Sequence, residues 1–188
     1  MTAVLDLPAQ VRGFLDAVLD VFEEEVVEAY LLGSAATGEF DPAASDLDVV
    51  VVVEQPLTNR QSLARRLAAL TPPVRNLELV VYVAGAQPPA YELNFSDGEE
   101  RPNQPQFWLI LDAADAEKHS VPLCNRRAWT ELFEPVPQEA VRVALRESLA
   151  WSEGRPPDDE FRRLHGIRAR RALEHGEWIS KPQARELL

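Results

Sequence analysis

Five consecutive valines at positions 49–53, bounded by Asp48 and Glu54, constrain the fold more than any other stretch of this chain. β-Branched side chains favour extended backbone, and successive residues of a strand face opposite ways, so an unbroken apolar run predicts a strand covered on both faces. Such a strand sits at the centre of a sheet with helices or further layers around it. Two carboxylates stand at its mouth. Asp46 and Asp48 are two residues apart and project to one face, while Leu47 turns into the core. Paired carboxylates invite a hard cation, and Mg2+ is usually held by one or two carboxylates together with substrate phosphates.

Upstream, residues 26–32 read as a first strand ending in the Gly33-Ser34 turn. Glycine lets backbone approach a ligand closely, and Ser34 can cap a helical turn or donate to an anion. Downstream, Pro56 ends the valine strand and a helix is expected from Thr58 or Asn59 to about Leu70, with Leu63, Leu67 and Leu70 inward and Arg60, Arg65 and Arg66 solvated. Pro72-Pro73 break it, and residues 76–83, NLELVVYV, give a third strand. Glu78 lies inside that apolar strand, where burying a carboxylate is costly without a partner. Beside Asp48 it becomes the third carboxylate of a metal site.

The rest of the chain is expected to follow in order. A helix over residues 8–24 carries one apolar stripe through Val11, Phe14, Leu15, Val18, Leu19 and Phe22. Residues 87–97 read as a loop and a further strand, 96–106 as a polar mobile loop, 107–118 as a helix, 119–124 as a short strand and 125–133 as a short helix. After Pro135 and Pro137 strand signals vanish. Helices are expected over 138–152 and 161–175, the second ended by Gly176, and Ser180 caps a last segment from Lys181.

The net charge of −12 and pI near 4.7 disfavour nucleic acid or an acidic membrane as partner and would draw in a small cationic substrate. Asp97, Glu99, Glu100, Asp158, Asp159 and Glu160 are candidates for an acidic entrance. One cysteine, Cys124, suits a reducing cytoplasm, and His119, His165 and His175 show no zinc spacing and read as surface or helix-end residues. The first ten residues lack the basic and apolar regions of a signal peptide, no run spans a membrane, and the chain is expected to act as a monomer or homodimer.

The pattern of strand, Gly33-Ser34, spacer, Ser45-Asp46-X-Asp48, strand resembles the signature of the nucleotidyltransferase superfamily related to DNA polymerase beta. With Glu78, the segment from AEKHSVPL to LFEPVP, the PPDDE turn and HGEWISK, most of residues 26–182 resemble the aminoglycoside adenylyltransferases that modify streptomycin and spectinomycin. The resemblance implies an α+β nucleotidyltransferase fold over residues 1–134, a mixed sheet of about five strands with flanking helices, then a small all-helical domain over 135–188 that is short relative to the family. It implies ATP and Mg2+, with AMP transferred to an aminoglycoside hydroxyl from a cleft between the domains. Asp46 and Asp48 resemble the magnesium ligands, Glu78 the catalytic base, Gly33, Ser34 and Ser45 the triphosphate-binding residues, Arg168 and Lys181 further phosphate-facing cations, and Asp158 and Asp159 the holders of the drug's amino groups. The streptomycin enzymes carry a drug-packing tryptophan after the LNF strand, and this chain has Gly98. The alternatives are adenylylation of a protein, as by antitoxin-type members, or of another metabolite, and a nucleotide-binding module without chemistry.

Overall fold

The computed structural model describes residues 7–88, 90–156 and 158–188; expectations that fall on residues 1–6, on Pro89 and on Pro157 of the PPDDE turn lie outside the described residues. The chain divides into two units, one formed by residues up to Gln104 with Asp115–Pro135, the other by Pro105–Ala114 with Val136–Leu188.

The first unit is built on a sheet whose middle is the valine strand. In chain order it contains α1 (Ala9–Asp20), β1 (Val26–Leu31), α2 (Gly33–Thr37), β2 (Leu47–Val53), α3 (Arg60–Ala68), β3 (Leu77–Val83), β4 (Leu93–Ser96) and β5 (Glu99–Glu100). The last turns of α4 (Gln106–His119), then β6 (Val121–Pro122) and α5 (Trp129–Leu132), complete it. The strands lie in the order β5-β4-β3-β2-β1-β6, six rather than about five, because two-residue pairings close both edges. β2 runs antiparallel to β1 and parallel to β3, so the sheet is mixed. Pro122 is tolerated because β6 is an edge strand.

One sheet face, carrying Ala29, Leu31, Val49, Val51, Val53, Leu79, Val81, Leu93 and Phe95, shares a buried core with Val11, Phe14, Leu15 and Val18 of α1 and Leu63 and Leu67 of α3. The three- and four-residue steps of those helical positions are what align them on one stripe, and each such buried side chain contributes about 1.5–3 kcal/mol. On the opposite face Tyr30 meets Trp129 edge-on at 5.2 Å between ring centroids, and Tyr82 meets Phe133 at 5.6 Å.

Three local expectations are corrected. The segment after β4 is no simple loop, because Asp97 and Gly98 take φ of 52° and 77°. Two consecutive positive φ values are the signature of a tight two-residue hairpin turn, so the chain doubles back as β5. The helix expected over 125–133 is confined to Trp129–Leu132. The residues before it wrap instead around Glu28, a fully buried carboxylate that accepts hydrogen bonds from the N–H groups of Ala29, Cys124, Asn125 and Arg127 at 2.7–3.0 Å. Third, Gly33-Ser34 opens the one-and-a-half-turn helix α2 rather than a plain turn.

The second unit is helical, comprising the start of α4, then α6 (Gln138–Glu153), α7 (Glu160–His175) and α8 (Lys181–Arg185). Its ends follow the sequence: Asp159 caps α7, Gly176 leaves it at φ 70°, and Ser180 and Gln183 form a capping box on α8. His165 corrects the expectation of a surface position. It is 8% exposed and packs on Phe161, Trp108 and Trp151 at 4.1, 4.7 and 6.2 Å. Burial, helped by the charges of Arg168, Lys181 and Arg155, lowers its pKa to about 3, so the ring is neutral at ordinary pH. Among the described residues no helix is long and apolar enough to cross a membrane.

Candidate active site

The mouth of β2 is framed on two sides by backbone. Leu32 N–H donates to the carbonyl of Asp48 at 3.0 Å, and the chain then turns at Gly33, whose φ is 55°. A Cβ at Gly33 would overlap Asp48 Oδ2 and stand 3.1 Å from Asp48 Cγ. Glycine is therefore required twice here, for its left-handed backbone and for the room it leaves the carboxylate. On the other side Leu47 N–H donates to Asn76 O at 2.9 Å, which opens the parallel ladder with β3.

That ladder puts Asp48 opposite Glu78. Register partners on adjacent strands point to the same face about 4.8 Å apart along the hydrogen-bonding direction. Glu78 is exposed, so its place in an apolar strand reflects the end of the sheet opening to solvent rather than a buried charge needing compensation. The buried member is Asp46, 8% exposed, and it is matched by a residue that sequence reasoning missed. Arg75 donates from Nε to Asp46 Oδ1 at 2.8 Å and from Nη2 to Oδ2 at 2.5 Å. This two-point contact raises the Arg75 pKa against the opposing effect of desolvation, and the charges of Asp46, Glu78 and Asp48 add to the rise. The guanidinium thus lies in the field of all three carboxylates.

The donor set suits Mg2+. It is all oxygen, carries three negative charges and already attracts a cation. Among the described residues no three His, Cys, Asp or Glu side chains converge tightly enough to hold an ion, and Asp46 has both oxygens on Arg75.

Residues 11–94, which hold all of this geometry, match the Nucleotidyltransferase domain family. Spectinomycin 9-adenylyltransferases of Staphylococcus aureus strains Mu50 and N315 are each 30% identical over 204 aligned positions, covering 96% of this chain and 77% of theirs. The chain belongs to the aminoglycoside adenylyltransferase family. The crystal structure of a family member, spectinomycin adenyltransferase AAD(9) from Enterococcus faecialis with ATP and spectinomycin, shares the fold at a TM-score of 0.74 and 21% identity, over 93% of this chain and 79% of that one.

The other positions singled out in the sequence have definite surroundings. Ser34 lies in the first turn of α2, and its carbonyl accepts from Glu39 N–H at 3.0 Å. Ser45 closes the approach to β2: its Oγ accepts from Asp41 N–H at 3.1 Å and its own N–H donates to Asp41 O at 2.7 Å. In the helical unit Arg168 donates from Nε to Ile179 O at 2.8 Å, and Lys181 places its ammonium 5.9 Å from the Phe161 ring centre. Asp158 is exposed. Asp159 accepts from Arg162 N–H as helix cap and from Arg155 at 2.7 Å, and the Arg155 contact is the main cause of its lowered pKa. The acidic-entrance candidates are similarly engaged: Asp97 and Glu99 pair with Arg101, Glu100 with Arg60, and Glu160 with Arg185.

Proposed function

We propose that this chain transfers AMP from ATP to a hydroxyl of an aminoglycoside-type acceptor, of the spectinomycin or streptomycin kind, and releases pyrophosphate. The observation that carries the reading is the Asp48–Glu78 register pair beside Asp46 and against Gly33, in a chain 30% identical to spectinomycin 9-adenylyltransferases.

Asp46 and Asp48, with Glu78 at the margin, would hold Mg2+, which when bound neutralises phosphate charge and acts as a Lewis acid. Glu78 is exposed and adjacent, so its carboxylate can accept the proton of an entering hydroxyl. The hydroxyl oxygen forms a bond to the α-phosphorus as the bond from that phosphorus to the bridging oxygen breaks. The proton stays on Glu78, and pyrophosphate carries away the electron pair. Gly33, by lacking a side chain, leaves the Asp48 carboxylate its place at the site, and Gly33, Ser34 and Ser45 are placed in the same proposal as triphosphate-binding residues. Arg168 and Lys181 as phosphate-facing cations, and Asp158 and Asp159 as holders of the acceptor's amino groups, are further parts of it.

The test is pyrophosphate release from Mg-ATP with a panel of aminoglycosides led by spectinomycin and streptomycin. Release that requires a drug, and falls at least a thousandfold in Asp48→Asn, is expected from the loss of a carboxylate that holds the metal. Near-native turnover by Asp48→Asn would sink the assignment.

A further inference from the structure

Arg75 and Asp46 are mismatched in their access to water. The carboxylate is 8% exposed and gives both oxygens to the pair, whereas the guanidinium side chain is 59% exposed. A buried carboxylate without a partner is costly, but an exposed guanidinium can leave while keeping most of its hydration. The backbone beneath Arg75 is fixed. Its neighbour Asn76 accepts from Leu47 N–H through its carbonyl, and through its side chain donates to Ser96 Oγ at 3.2 Å and accepts from Asp97 N–H at 3.0 Å. Only the Arg75 side chain has to swing.

We propose that Arg75 is the resident counter-cation of this carboxylate site: its two-point contact holds Asp46 in the ion-free protein, and a divalent cation binds by displacing it from at least one Asp46 oxygen. Arg75 is thus a positioning residue, keeping a buried carboxylate paired before metal and nucleotide arrive. The influence of Glu78 and Asp48 on the same guanidinium agrees, since it puts Arg75 within the field of all three charges. The proposal rests on reading Asp46, Asp48 and Glu78 as the metal site. It predicts a trade: without Arg75 the ion-free protein is weaker and the metal binds more tightly.

The probe is Mn2+, titrated into the full chain without nucleotide and followed by the electron paramagnetic resonance of the free ion, with parallel thermal melts in EDTA and in Mg2+. The proteins are wild type, Arg75→Gln, Arg75→Lys and Asp48→Asn. Arg75→Gln is expected to bind Mn2+ at least tenfold more tightly than wild type, to melt lower in EDTA and to gain more from Mg2+. Arg75→Lys keeps the charge but cannot span both oxygens, and it too should bind Mn2+ more tightly than wild type. Equal or weaker binding by Arg75→Gln, with binding lost in Asp48→Asn, overturns the proposal and leaves the metal site standing. Lysine behaving as wild type while glutamine binds more tightly also overturns it, because charge alone would then explain the effect. Asp48→Asn binding as well as wild type, or no binding by any of the four, removes the metal-site reading and the proposal together.

Discussion

Between Gly33 and Asp48 there is room for a hydrogen and for nothing larger. Gly33→Ala is therefore expected to cost about 1–2 kcal/mol from its left-handed backbone and the overlap, read in urea denaturation, and to depress turnover by turning Asp48 aside. His165 offers a second test at this scale. Its pKa is about 3 in the folded protein against about 6.5 unfolded, so the unfolded chain takes up a proton first as pH falls. The stability this burial preserves is complete above about pH 6.5 and erodes steadily toward pH 3. Melts from pH 7 to pH 4 should fall more steeply for wild type than for His165→Leu, and parallel curves would show that His165 does not titrate this way. That Asp48 would lie beside Glu78, with Gly33 and Asp46 close by along the chain, was legible in the sequence because its signal is local spacing at strand ends. Arg75 was not, since its partner lies 29 residues away, and the burial of His165 is decided by three aromatic rings on two other helices and on α7 itself.

Among elements, the loop of residues 123–128 depends on one carboxylate. Glu28 binds four backbone N–H groups, three of them 96–99 residues away in sequence. Glu28→Gln keeps the shape but sets an NH2 against amide donors, so it is expected to destabilise by on the order of 3 kcal/mol, measured by chemical denaturation. A loss below about 0.5 kcal/mol would mean the loop finds other acceptors. A strand glutamate gives no hint of this role, which is why residues 125–128 read as helix. The β4–β5 hairpin was readable, for Asp97-Gly98 is a strong two-residue turn signal, but the surrounding charges and prolines suggested a loop. Helix ends were easier. Gly176 and Ser180 act through their nearest neighbours and stand where the sequence indicates.

Over the whole molecule, a net charge of −12 should draw polycations even though most entrance-candidate acids have an arginine partner. Aminoglycoside affinity is expected to weaken several-fold between about 0.05 and 0.5 M salt, as the Debye length falls from roughly 14 to 4 Å. Calorimetric binding that ignores salt would show that long-range attraction plays no part. The parallel register of β2 and β3 has a different kind of consequence. Asp48 faces Glu78 because of ladder hydrogen bonds, and the crossover between them, though α3 packs on the core and Arg75 meets Asp46, plays no part in that pairing near Thr71. Its length is therefore free to drift. A short Gly-Ser insert beside exposed Thr71 should cost under about 1 kcal/mol and leave turnover within about twofold, so this crossover is where a chain of this type can acquire a tag, a tether or a new surface while its chemistry stays in place.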